Sequence, residues 1–225
     1  MMWRRRKGII DALCFQFRIA PATFTIMLLC LIILILDYLT GRYILVRFGL
    51  FPYLLLKGVQ IERLVTSIFL HKDFIHLFLN MWGLYVFGIP VERELGTRNF
   101  LIIYFLSGIL GNILYSLMVV YVYRLPILTI VIGASGAISG ILATFIVFYP
   151  RARLTVFVFI AIIPMTAIQF AIFYLVLQFL YMIAFGPSAG IAFFAHIVGF
   201  VVGWLLGKYY YRRIFIRRYV YPPGY

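Results

Sequence analysis

The tightest constraint on this chain is a series of apolar runs long enough to cross a bilayer and nearly empty of charge. A helix needs about 20 apolar residues to cross the hydrocarbon layer, and every backbone polar group inside it must be bonded within the segment. The first run covers residues 22–39. It follows a basic stretch (Arg4, Arg5, Arg6, Lys7, Arg18) and Pro21. A basic stretch before an apolar run also suits a cleaved leader. This run leaves through Asp37-Tyr38-Leu39-Thr40 with no small-x-small cleavage site, and more runs follow. It reads as a retained helix.

Composition agrees across all 225 residues: 65% are hydrophobic, 12% are charged and mean hydropathy is +1.09. Soluble domains carry about 25% charged residues, so a water-soluble globule is excluded. The apolar richness excludes disorder, and two cysteines are too few for a disulfide scaffold. Cys14 and Cys30 have no metal-ligand spacing and read as inert membrane-facing or packing residues.

Hydrophobic patterning predicts an all-α polytopic bundle of six transmembrane helices. After the first helix, residues 41–72 are semi-apolar but broken by charges, Pro52 and Gly58. They read as an ordered loop partly immersed in the membrane. The second helix covers residues 74–89, with Asp73 as its N-cap; residues 90–98 form a polar loop, and the third helix covers 99–123. The fourth begins at Ser135 and ends at Tyr149, and residues 150–153 turn. An interfacial stretch precedes Pro164, the fifth helix covers 166–184, a tight loop holds Gly186-Pro187-Ser188, and the sixth covers 190–207. This gives a basic N-terminal segment (1–21), one membrane domain (22–207) and a basic aromatic tail (208–225).

Net charge is +14, from 20 Lys and Arg against 6 Asp and Glu. With both termini inside, 14 of those cations fall on the inner side and 6 on the outer. The positive-inside rule therefore puts both termini in the cytoplasm, against the one basic outer loop. The tail from Lys208 to Arg218 interleaves tyrosines with base. Just past a span, that pattern suits anionic lipid headgroups rather than nucleic acid.

Polar groups inside a span are costly and mark function by default. His76 and Asn80 are spaced i, i+4 on one helix face. Ser135 opens the fourth helix within Gly133-Ala134-Ser135-Gly136, and His196 lies in the sixth within Ala195-His196-Ile197-Val198-Gly199. Gly136 and Gly140 make one small-residue seam; Ala195, Gly199 and Gly203 make another. Such seams pack helices closely, and here they would bring Ser135 near His196. A serine nucleophile needs a base within reach and donors for the oxyanion. The Ser135 N–H at a helix start, His76 and Asn80 could supply those donors. Asp37, Asp73, Glu92 and Glu94 all lie at span ends, so a Ser-His dyad fits better than a triad.

The three segments, His71-Lys72-Asp73-Phe74-Ile75-His76-Leu77-Phe78-Leu79-Asn80, Gly133-Ala134-Ser135-Gly136 and Ala195-His196-Ile197-Val198-Gly199, together resemble the rhomboid family of intramembrane serine proteases. They stand in the family's order on the second, fourth and sixth helices, and the likeness runs over roughly residues 42–207. The resemblance implies Ser135 as nucleophile and His196 as general base, with His76, Asn80 and the Ser135 amide forming the oxyanion hole. It implies a structural Arg63 in the first loop and a Glu92 that braces the inner end of the second helix. It also implies a cap loop at residues 185–189 hinged at Gly186 and Gly190. The substrates implied are single-pass membrane proteins cut near the membrane boundary, with no cofactor and no metal. Gly136 and Gly199 serve close helix packing.

The sequence departs from the family at Ser139. Many members have an aromatic residue there, four past the serine, whose ring supports the histidine; another Phe or Tyr would have to provide that support. Glu94 and Glu62 also differ, away from the chemistry. The chain has no H-E-x-x-H and no pair of mid-span aspartates, which excludes the other intramembrane protease chemistries. Two alternatives stand beside the protease reading. One is a noncatalytic rhomboid-like binder of membrane helices. The other is a proton-linked transporter using His76, Asn80 and His196, although the inverted repeats expected of one are lacking. His71, five residues from His76, reads as interfacial. The membrane expected is a prokaryotic cell membrane.

Overall fold

In hydrocarbon a helix is held by its own backbone bonds and placed by what its faces can touch. The computed structural model of the chain describes residues 15–126, 128–158, 161–185 and 192–216. α1 (Pro21–Leu39) opens on a proline, where no N–H is needed. It has no capping side chain of its own. The buried Glu92 carboxylate does that work, accepting the N–H groups of Ala22 and Thr23, each at 2.8 Å. A carboxylate there satisfies two orphan donors and meets the positive end of the helix dipole.

Residues 41–72 are ordered, as expected for a segment too mixed to span. They fold into α2 (Tyr43–Phe48), α3 (Pro52–Leu56), α4 (Arg63–Thr66) and a 3₁₀ turn, Ser67–Phe69. Buried charges hold them to the bundle. Asp37 accepts the Leu45 N–H at 2.7 Å and pairs with Arg42 at 3.0 Å. Arg63, also buried, donates to the carbonyls of Gly49 at 2.9 Å and Val46 at 3.3 Å.

α5 (Phe74–Gly83) is capped by Asp73, whose carboxylate accepts the His76 N–H at 2.8 Å. A π turn, Leu84–Gly88, carries it into α6 (Ile89–Leu117), and a second π turn covers Met118–Val122. The polar loop expected at 90–98 is therefore helical. A proline inside a helix lacks an N–H and crowds the preceding turn, and the widened π turn just before Pro90 makes room for it. The real break is Gly96, at φ +75° and ψ 158°. The chain doubles back there. A Cβ at Gly83 would lie 3.3 Å from Ile138, and one at Gly108 would lie 3.2 Å from Ala137. Positions about equally far on either side of Gly96 thus face the same turn of a third helix.

That helix, α7 (Ser135–Phe148), is buried without interruption from Ala137 to Ile146, the mark of an element enclosed on all sides. The interfacial stretch that follows forms a hairpin instead, and the all-helical expectation is corrected at this point. β1 (Arg153–Val158) pairs antiparallel with β2 (Ala161–Thr166), Thr155 opposite Pro164. β-branched residues favour the pleated conformation, and in a two-stranded ribbon both strands are edges, so Pro164 breaks no interior ladder.

α8 (Ala167–Phe185) matches the fifth expected helix closely. α9 (Phe193–Phe215) runs eight residues past Gly207. No glycine or proline stops it, and the expected tail residues support one another along its side. Lys208 lies 3.8 Å from the Trp204 ring centroid, and Arg213 donates to the Tyr209 hydroxyl at 3.0 Å.

Among the described residues, Pro21–Leu39, Phe74–Val122, Ala167–Phe185 and Phe193–Phe215 are long and apolar enough to cross a membrane. α7 and α9 approach backbone to backbone. A Cβ on Gly199 would strike the Gly136 carbonyl, and one on Gly203 the Gly140 carbonyl. Thr144 adds a bond across the seam, donating to Gly203 O at 2.9 Å. Glu92→Ala should strand two buried N–H groups and lower unfolding stability in detergent by about 2–4 kcal/mol. An unchanged unfolding midpoint would contradict the capping role.

Candidate active site

The site forms where α7 begins. Gly133 takes φ +117°, a conformation open to glycine, and its N–H donates to Ser67 O at 2.9 Å. This turns the chain so that Ser135 is the first residue of α7, after Ala134 at the N-cap. The N–H groups of a first helical turn have no partner within the helix and carry its positive end. The Ser135 N–H is one of them.

His196 is buried on α9. The Ala195 carbonyl beside it faces Gly111 and Gly136, where a Cβ would come within 2.9 Å and 3.5 Å. The two small-residue seams therefore bring together the pair expected from the sequence: His196 Nε2 lies 2.6 Å from Ser135 Oγ.

Sequence reasoning missed the next contact. Gln178 Oε1, on α8, lies 3.1 Å from His196 Nδ1. Its signal was an amide in the middle of an apolar helix, of the kind that identified His76 and Asn80.

His76 reaches the same spot from α5. The position a Gly133 Cβ would occupy is 3.0 Å from His76 Nε2 and 3.7 Å from Ser135 Oγ. The backbone N–H of Lys72 donates to His76 Nδ1 at 3.3 Å, so in the neutral ring the proton sits on Nε2, which can donate into the site. Asn80 is buried on the same face, but its amide turns back on its own helix and donates to His76 O at 2.9 Å. It is not aimed at Ser135.

His71, expected at the interface, is buried within the protein. It is 2% exposed, and its ring packs edge-on against His76 with centroids 5.1 Å apart. It lies on the segment before α5, so helical spacing does not govern its direction. Burial, with the adjacent His76, pushes its pKa down to about 4, and it stays neutral at physiological pH.

Ser139 is buried and donates to Ser135 O at 2.8 Å; its hydroxyl also lies 2.6 Å from that of Tyr174 on α8. The aromatic neighbour of His196 comes from its own helix. Phe193 meets it edge-on, with centroids 6.3 Å apart. Arg63 and Glu92 bond backbone groups of other elements and lie outside this cluster. Gly186, Gly190 and most of the loop at 185–189 lie outside the described residues, as does Cys14. A hydroxyl with a base in reach, beside free N–H groups at a helix start, is an arrangement suited to acyl transfer.

The Rhomboid domain family matches residues 58–213 of this chain. Rhomboid protein 1, mitochondrial, of Saccharomyces cerevisiae is 40% identical over 96 residues, 43% of this chain and 28% of that protein. The putative rhomboid protease YdcA of Bacillus subtilis is 40% identical over 84 residues, 37% of this chain and 39% of that protein. Inactive RHOMBOID-like protein 8 of Arabidopsis thaliana is 34% identical over 89 residues, 40% of this chain and 24% of that protein. The matches thus span less than half the length of each of these relatives.

Gly133→Ala would place a Cβ 2.9 Å from His76 Cε1 at a backbone angle that L residues rarely adopt. Reactivity of Ser135 toward a fluorophosphonate should fall roughly a hundredfold, with the helical circular dichroism retained. Wild-type reactivity in that variant would show that the glycine does not shape the site.

Proposed function

This chain belongs to the rhomboid family, and from that premise we propose that it is an intramembrane serine endopeptidase working through a Ser135–His196 dyad. The observation that carries the reading is the 2.6 Å contact between Ser135 Oγ and His196 Nε2 at the start of an enclosed helix. In the proposed reaction the Ser135 hydroxyl adds to the scissile carbonyl as its proton passes to His196 Nε2. The oxyanion meets the Ser135 N–H and the His76 Nε2–H, and Asn80 completes the donor set after its amide rotates. His196 then gives the proton to the leaving amine, and water releases the acyl group by the same steps in reverse order of partners.

Where water is excluded, fixed donors stabilise developing charge strongly. α7 is 14 residues long, or about 21 Å, shorter than the roughly 30 Å hydrocarbon layer. A helix of that length with one end at a membrane face holds Ser135 below the other. This depth suits a scissile bond near the boundary of a single-pass membrane protein, the substrate class proposed.

The same reading makes α1, α5, α6, α7, α8 and α9 six crossing helices with both termini cytoplasmic, and takes Gly186 as the hinge of a cap loop. It takes the membrane to be a prokaryotic cell membrane; the relatives above include one from Bacillus and one named mitochondrial.

A second reading, a noncatalytic rhomboid-like binder of membrane helices, draws on the similarity to a relative named inactive. Cleavage of a single-pass test substrate in liposomes separates the two. Ser135→Ala and His196→Ala should each reduce cleavage about a thousandfold or more, and His76→Ala by roughly tenfold to a thousandfold. Equal turnover by wild type and the Ser135 and His196 variants would overturn the dyad, and substrate capture without turnover by wild type would favour the binder.

A further inference from the structure

His196 can take a proton from Ser135 only while its Nε2 is bare, and an imidazole on its own does not choose which nitrogen carries its proton. The choice is made by what the other nitrogen meets. Here that partner is Gln178 Oε1, 3.1 Å from His196 Nδ1. A carbonyl oxygen can only accept, so the proton sits on Nδ1 and Nε2 faces Ser135 Oγ with its lone pair free. With the amide turned over, its NH₂ would meet Nδ1, the proton would move to Nε2, and the base would be blocked. The other groups around His196 do not make this choice. α7 contributes the Ser135 hydroxyl, α5 contributes the titratable His76, and α9 contributes the apolar edge of Phe193.

Resting on the protease reading, we propose that Gln178 is a positioning residue that holds His196 in the tautomer able to accept the Ser135 proton. The dyad then has a third, uncharged member supplied by α8. This member sits on the least protein-covered of the candidate spans. Only 11% of the α8 span is buried, against 33–50% for the other candidate spans, and its buried residues, Ala167 and Ala171, lie in the first two turns. Farther along, among the described residues, α8 is tied to the bundle by polar contacts from Tyr174 to Ser139 and from Gln178 to His196, and by ring stacking of Tyr174 on Phe200 and Tyr181 on Phe193. The hold on the base therefore depends on the docking of this stretch of α8 against α9.

The test is the rate at which a fluorophosphonate labels the purified protein in detergent across pH. In that reaction Ser135 Oγ displaces fluoride from phosphorus and its proton goes to His196. Gln178→Met keeps the length of the side chain but has no carbonyl, and it should label roughly tenfold more slowly or worse with an unchanged melting temperature. Gln178→Glu keeps the acceptor and adds charge. It should label within a few fold of wild type above the acid limb, and that limb should move up by about one pH unit because the carboxylate favours the imidazolium. A merely structural role would not lower the rate in Gln178→Met at an unchanged melting temperature while sparing it in Gln178→Glu. Wild-type labelling by Gln178→Met, or an unshifted limb in Gln178→Glu, would overturn the proposal while leaving the dyad intact. If wild type itself does not label, or Ser135→Ala labels equally, the protease reading fails instead.

Discussion

The site depends on two helices meeting glycine against glycine. Lipid tails are as apolar as leucine, so no hydrophobic drive pushes membrane helices together; close packing and hydrogen bonds must hold them. α7 and α9 meet through Gly136 and Gly140 on one side and Gly199 and Gly203 on the other, with Thr144 bonded across to Gly203 O. Ser135 directly precedes the first of those glycines, and His196 stands three residues before Gly199. The register of the glycine contact therefore sets the distance from hydroxyl to imidazole. A slip of one helical turn, about 5.4 Å, would separate them.

Around that seam, scarce buried charges serve mainly to satisfy backbone. Glu92 caps α1, Arg63 gathers the carbonyls of Val46 and Gly49, and Asp37 holds Leu45 N–H and Arg42. An unpaired charge at these depths would be costly, so each is met by complementary groups. The result is a frame whose connections are fixed by polar bonds and whose interior is fixed by packing.

Within the frame, each histidine has a different neighbour and so a different capability. His71, buried against His76, is held neutral. His76 accepts from a backbone N–H and presents a donor. In the proposed arrangement His196 faces a carbonyl oxygen and presents a lone pair. Two imidazoles thus offer opposite functions within one small cluster because a single atom beside each decides where its proton sits. α8 provides that atom for His196, linking the most exposed span to the centre of the site.

Much of this was legible before any fold was known. The apolar runs located the helices, since length and absence of charge are local properties that the bilayer demands of any crossing segment. The i, i+4 spacing put His76 and Asn80 on one face, and the small-residue seams pointed to close approach of Ser135 and His196. Other features were hidden because they depend on distant partners. Residues 90–95 look like a polar loop, yet they are helical because a π turn accommodates Pro90 and Glu92 finds the start of α1. The hairpin exists because two short apolar segments pair with each other. Gln178 and Tyr174 looked like unremarked members of an apolar helix until α8 was laid beside α7 and α9. The sequence by itself determined that this chain lives in a membrane, where its long apolar helices lie and which few polar groups need explaining. Only the tertiary structure decided which nitrogen of His196 faces the serine and which atom meets the other, because that depends on what packing brings within about 3 Å, and nothing in the local order of residues specifies it.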